Sequence, residues 1–148
     1  MKSTDFLKSK EIEFKTIKLK EVPRTAQDVE RIYGCPLHQV LKTLVFVGEV
    51  EPIIVVLPGD KRVNLEKLEK ITNQGLKMAN PDEVKEITSY SIGGVCPFAI
   101  EAPIKKVIDK SVFDITRVNI GSGKAEIGIE LESLELKKAC DWTVEDIS

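Results

Sequence analysis

Histidine occurs once and cysteine three times in this chain of 148 residues, too few of either to suggest a metal centre. A lone His38 rules out any site built on two imidazoles and leaves one candidate for a serine–histidine or cysteine–histidine pair. No Gly-x-Ser-x-Gly elbow accompanies it, so a half-exposed histidine at a helix-to-strand junction is the simpler reading. Cys35, Cys96 and Cys140 are far apart and form no Cys-x-x-Cys pair, which argues against a disulfide framework and a cysteine-rich zinc site. No metal or cofactor is expected. Long apolar runs are missing too, since nothing approaches the roughly 18 residues that a spanning helix needs. Met1 to Lys10 alternates charge with isolated apolar residues, unlike a secretory h-region, and a cytoplasmic protein with no membrane contact is the expectation. Neither sign of charge prevails. Lys and Arg number 22 against 24 Asp and Glu, a formal net charge of -2, so any contact with nucleic acid must be local.

Hydrophobic residues make up 42% of the sequence, enough for one continuous core, and residues 1–148 read as a single domain. Ile12 and Phe14, then Ile17 and Leu19, alternate with a phase shift and predict one edge strand within Glu11 to Lys20. Thr25 is placed to cap a helix carrying Val29, Ile32 and Tyr33, with Asp28 favouring its positive start and Gly34 ending it. Leu41 to Val47 and Pro52 to Leu57 read as central strands joined by a hairpin through Gly48 to Glu51. Pro58-Gly59-Asp60 signals a turn, and Asn64 can cap a helix with Leu65, Leu68 and Ile71 at near-helical spacing. A short strand at Leu76 to Met78 follows, then a helix opened by Asn80-Pro81 with Val84 and Ile87 facing inward. Ser91 to Pro97 reads as an irregular loop. Ile104 to Asp109, Arg117 to Ile120 and Ala125 to Leu131 read as strands, and Ser133 to about Cys140 as a helix. Hairpin-like strand pairs mixed with scattered helices, without regular βαβ alternation or internal repeats, define an α+β fold.

Lys42 carries the most information. Strand alternation sets it on one face with Leu44 and Phe46, while Leu41, Thr43, Val45 and Val47 line the other, so both faces are largely apolar. A cation there loses solvation, and must sit at a strand end, open into a pocket or meet an anion. Two readings stand: a lysine snorkelling to water from the strand's start, or a functional ammonium. The loop Ser91-Ile92-Gly93-Gly94-Val95-Cys96-Pro97 also has two. It is an ordinary tight turn, or a backbone that approaches a ligand and offers it N–H groups, with Pro97 stiffening the exit. Gly121-Ser122-Gly123 has similar freedom and is equally a plain hairpin. Glu126 lies opposite the apolar row Ala125, Ile127, Ile129 and Leu131 and reads first as a solvated carboxylate.

These features occur in one order: Thr25-Ala26 opening a helix, Lys42-Thr43-Leu44-Val45 in a strand, Leu57-Pro58-Gly59-Asp60 before a helix, Gly93 to Pro97, Val107-Ile108-Asp109, a Gly/Ser loop, then Glu126-Ile127-Gly128-Ile129. Over roughly Thr25 to Leu134 the chain thereby resembles the YbaK and prolyl-tRNA-synthetase-associated family of aminoacyl-tRNA editing domains. The lysine strand and the Gly-to-Pro loop are the specific parts of the match.

That resemblance implies a curved, mostly antiparallel mixed β-sheet, barrel-like and surrounded by helices, with a pocket for the aminoacylated 3′ end of tRNA. It implies a trans-editing deacylase that cleaves the ester of mischarged tRNA, a small amino acid such as cysteine or alanine on tRNA-Pro. The acceptor end and prolyl-tRNA synthetase are the implied partners. Lys42 matches the family's essential lysine and would be the catalytic residue, holding the terminal adenosine phosphate or orienting the aminoacyl group. Thr43, Gly93, Gly94, Pro97, Gly121, Ser122 and Glu126 would bind substrate, the Gly93 to Pro97 loop by offering N–H groups to the ester carbonyl. The basic pairs Lys61-Arg62, Lys105-Lys106 and Lys137-Lys138, each most simply a solvated face, would together flank the acceptor end.

Some members carry Asp where Glu126 stands, serine where Gly121 stands, or a histidine in this region that this chain lacks. No residue stands out as a general base, which leaves water activation to the tRNA ribose hydroxyl, or expulsion to a thiol on the substrate itself. The alternative is a non-catalytic module that binds a tRNA end or a synthetase. Lys42 in an apolar strand favours catalysis, because an adaptor could use exposed basic residues without desolvating a cation.

Overall fold

In the computed structural model, which describes residues 1–148, the chain forms five helices and eight strands. Their order is α1 (Lys2–Ser9), β1 (Lys15–Lys18), α2 (Ala26–Tyr33), β2 (Leu41–Gly48), β3 (Ile53–Pro58), α3 (Leu65–Thr72), β4 (Leu76–Met78), α4 (Pro81–Thr88), β5 (Lys105–Asp109), β6 (Arg117–Gly121), β7 (Ile127–Glu132), α5 (Ser133–Ala139) and β8 (Trp142–Glu145). Short 3-10 turns at Leu37–Gln39 and Lys110–Asp114 complete the list of elements. The strands make a five-stranded sheet, β4-β2-β3-β5-β8, and a three-stranded one, β1-β7-β6. In the larger sheet β2 runs antiparallel to β3 and β4, while β3, β5 and β8 are parallel. The smaller sheet is antiparallel throughout.

The six residues of β3 carry no polar side chain, and every one is buried, because strands flank both edges and other elements cover both faces. Ile53, Val55 and Leu57 pack with Leu68 of α3, Phe46 and Val107 on one side. On the other, Ile54 meets Val84 of α4, and Val56 joins the main core with Leu41, Phe98, Ile108, Ile120 and Ile129. Each such aliphatic side chain contributes about 1.5–3 kcal/mol by leaving water.

The helix starts follow local chemistry. Thr25 accepts from the N–H of Asp28 at 3.1 Å, Asn64 from that of Lys67 at 3.1 Å, and Asn80 and Glu83 form a reciprocal capping box. Gly34 ends α2 at φ 87°, a left-handed conformation.

Three features differ from the reading of the sequence. The barrel-like closure is absent: the strands form two separate sheets that share the main core and are joined by one isolated backbone bridge, Val40 to Asn119. Two elements are additional, α1 and the edge strand β8. Finally, β7 begins at Ile127, and Ala125 and Glu126 belong to the turn before it. No helix is long and apolar enough to cross a membrane.

Candidate functional site

Along β2, the short strand β4 pairs only with Phe46 to Gly48. The same edge of Leu41 to Leu44 has no ladder beside it, and there a cavity of about 370 Å³ opens. Asn119, Ile120 and Gly121 of β6 and Ile127 and Gly128 of β7 line its opposite wall. Helix α2, with Thr25, Ala26, Val29 and Tyr33, forms another side, and Ile92, Gly93, Val95, Lys124 and Ala125 close one end. The volume falls in the usual range for small-ligand sites, about 300–1,000 Å³, and the walls are mostly apolar.

Charge is distributed one-sidedly. Arg24, Lys42 and Lys124 line the cavity, and no Asp, Glu, His or Cys does, although the whole chain carries a net charge of -2. Lys42 is half-buried and takes part in no ion pair. Burial above all holds its ammonium below the ordinary lysine value, with the nearby Arg62 guanidinium adding to the effect and Asp60 opposing it. Its neighbour Thr43 keeps a buried hydroxyl oxygen with no hydrogen-bond partner. Such an unpaired group costs about 1–3 kcal/mol.

The two glycine turns pack on each other. Gly93 lines the cavity at φ 89°, where an added methyl would meet no atom within 4 Å but would strain the backbone. Gly94 is turned away from the ligand space: a Cβ there would come within 2.9 Å of the Gly123 carbonyl, and its N–H already donates to Ser91 at 2.9 Å. Across the contact, a Cβ on Gly121 would approach the Val95 carbonyl to 2.9 Å. The glycines therefore let two stretches of backbone meet closely.

Of the residues singled out from the sequence, Lys42, Thr43, Gly93 and Gly121 come together around the cavity. Gly94, Pro97, Ser122 and Glu126 stand behind or beside it. Ser122 is buried, and its hydroxyl is engaged by Ile127 and Lys124 backbone groups. Pro97 is buried and its carbonyl accepts from the Cys140 thiol at 3.8 Å. Glu126 is half-buried, and its carbonyl accepts from Leu19 N–H at 2.8 Å. His38 is exposed on a 3-10 turn and does not line the cavity.

The three basic pairs do not converge. Arg62 is near enough to perturb Lys42, but Lys105-Lys106 lie on β5, across β3 from β2. Lys137 covers the Phe113 ring and Lys138 pairs with Glu135 on α5. The cations at the cavity that the sequence did not single out are Arg24 and Lys124, far apart along the chain with no shared motif.

The fold is α+β, and its cavity sets three cations and no carboxylate in mostly apolar walls. The family model of the aminoacyl-tRNA editing domain matches residues 20–139, and the chain belongs to that family. Among curated relatives, the uncharacterized protein YwhH of Bacillus subtilis is 30% identical over 115 residues, covering 77% of this chain and 73% of its own. A proline–tRNA ligase of Fervidobacterium nodosum is 32% identical over 99 residues, 66% of this chain but only 17% of the ligase. Two solved structures share the fold. Hypothetical protein APE2540 superposes with a TM-score of 0.93 at 26% identity over 99% of both chains. A structure described as a candidate trans-editing enzyme for prolyl-tRNA synthetase gives 0.85 at 28% identity, over 91% of this chain and 86% of its own.

Proposed function

We propose that this chain hydrolyses the ester of mischarged tRNA in trans, with Lys42 as the catalytic residue. The observation that carries the reading is the cavity lined by Arg24, Lys42 and Lys124 with no carboxylate. A tRNA 3′ end brings phosphates and a terminal nucleoside, and a local cluster of cations receives them where the net charge of -2 would repel. The Lys42 ammonium holds the terminal phosphate or orients the aminoacyl group. Water adds to the ester carbonyl carbon, the bond from that carbon to the ribose oxygen breaks, and the ribose oxygen takes up a proton. No imidazole, thiol or carboxylate lines the cavity to accept the proton of that water, so the adjacent ribose hydroxyl relays it.

Thr43, Gly93 and Gly121 contact the substrate directly, while Gly94, Pro97, Ser122 and Glu126 hold the turns that present them. A cavity of about 370 Å³, shared with the nucleoside, suits a small side chain such as that of alanine or cysteine. Likeness to part of the prolyl-tRNA ligases supports tRNA-Pro as carrier and prolyl-tRNA synthetase as partner, with action in the cytoplasm. A binding module without turnover is the second reading, and the missing general base favours it.

Purified chain incubated with tRNAs charged with alanine, cysteine, serine and proline decides between them. The expected result is release of the smallest amino acids well above the uncatalysed rate. Binding of the same tRNAs with no release would leave the binding module.

A further inference from the structure

Behind the two glycine turns lies a group of residues that the proposed chemistry does not use. Tyr90 is 5% exposed, and its hydroxyl donates to the Phe98 carbonyl at 2.6 Å, so it bridges the segment from 90 to 98 at its two ends. Burial pushes this phenol far above its usual range, which keeps it a donor. Its ring lies against the other turn: a Cβ on Gly123, itself at φ 99°, would meet Tyr90 Cε1 at 2.5 Å. A single side chain thus closes one turn and backs the second.

Helix α1 covers this arrangement from outside, and it precedes the residues 20–139 that the editing-domain model matches. The Lys2 ammonium stands 4.3 Å from the centre of the Tyr90 ring, a cation–π contact. Phe6 stacks on Phe98 with centroids 6.1 Å apart. Ser3, wholly buried, donates its hydroxyl to the Ser122 carbonyl. The loop itself has little to hold its shape, since Gly94 to Ser91 is the one backbone hydrogen bond formed within 91–98. Exclusion by size needs walls that do not yield.

We propose that Tyr90 and α1 form a clasp that fixes the part of the cavity wall made by the packed Gly93 and Gly121 turns, with Tyr90 and Ser3 as positioning residues for substrate selection. This rests on the deacylase reading above. The residues touch no substrate and act through the turns they hold.

The test uses the full chain with Tyr90→Phe, which removes only the bridging hydroxyl, and Ser3→Ala, which removes only the bond to Ser122. Ile53→Val serves as control, a change of similar cost in the core cluster around Leu68. Amide hydrogen exchange is read at 91–98 and 121–125, together with the kcat/KM ratio between the smallest and a larger aminoacyl-tRNA. Tyr90→Phe is expected to speed exchange at 91–98 about tenfold, the effect of losing one buried hydrogen bond. Ser3→Ala does the same at 121–125, and both lower the selectivity ratio several-fold through gains by the larger substrate. Ile53→Val should lower the melting temperature and leave loop exchange and ratio alone. Unchanged exchange in both turn variants, or an equal fall in the ratio for Ile53→Val, overturns the clasp. A wild-type chain that released no amino acid would defeat the deacylase reading instead, and exchange at 91–98 would still show whether Tyr90 holds the loop.

Discussion

At one end of β2, past Gly48, the amides of Val50 and Glu51 both donate to Gln74 Oε1, at 2.8 and 3.1 Å, and Gln74 Nε2 donates to the Glu51 carbonyl at 3.1 Å. Glu69 accepts from Leu76 N–H at 2.8 Å in the same region. At the other end, five to six residues up the strand, the Lys42 ammonium pairs with no carboxylate and the buried Thr43 hydroxyl meets no partner. Both ends belong to one strand in one register with β3. Folded proteins leave few buried polar groups unpaired, so the two ends differ in kind, and the proposed site lies at the unpaired one. Where side chains satisfy the backbone, the chain is finished as it stands; under the proposed function, the polar groups left unpaired at the other end are those a bound ligand would meet.

The largest expected effect tests the unpaired end. Lys42→Ala should lower deacylation by at least about 100-fold, the scale for losing one preorganised electrostatic contact. Melting temperature should stay level or rise, since removing a desolvated charge that lacks a partner is neutral or stabilising. A variant that unfolds yet keeps its specific activity in the folded fraction would make Lys42 part of the scaffold and erase the contrast.

Next comes the satisfied end. Gln74→Ala strips two amides and one carbonyl of their shared partner, and should destabilise the fold by about 1–3 kcal/mol in denaturant unfolding. Water reaches the exposed Val50–Glu51 turn, which keeps the cost toward the lower part of that span. Activity per folded molecule should match the parent, and a loss of turnover without a loss of stability would mean that this end serves the site as well.

The legible parts of the molecule are those whose cause is local. Thr25, Asn64 and Asn80 announce helix starts because a cap needs only the next three residues. The unbroken apolar run of β3 announces a central strand, and Lys42 is conspicuous because it is charged in an apolar setting. What stayed hidden depends on distant partners. The buried face of α1 consists of Ser3, Thr4 and Leu7, and no local pattern shows that the Ser3 hydroxyl is received by the Ser122 carbonyl, 119 positions later. Strand β8 has four residues and a parallel partner more than thirty positions earlier, so no hairpin signal marks it. Alternation with Ile127 and Ile129 points to a strand at Glu126, whereas β7 starts one residue later and the Glu126 carbonyl accepts from Leu19 N–H. Arg24 and Lys124 join Lys42 only because α2 and the turn after β6 flank the same opening.

The smallest effect bears on the polar half of the contrast, the hydroxyl of Thr43. Valine has the same branched shape, so Thr43→Val removes the unpaired oxygen with little change in packing, and β-branched residues suit the strand it occupies. Because that oxygen is buried without a partner, its loss should stabilise the free protein, by about 1 kcal/mol, the lower end of the penalty for an unsatisfied group. The same change should lower kcat/KM, by about tenfold if one neutral hydrogen bond to the bound aminoacyl-tRNA is lost. Stability and activity moving in opposite directions is the signature of a group kept for a ligand, since a structural hydrogen bond would make both fall together. Thermal unfolding and steady-state deacylation of the one variant supply both readings. If Thr43→Val is less stable than the parent, the hydroxyl is already satisfied in the free protein and the difference between the two ends of β2 rests on Lys42 alone.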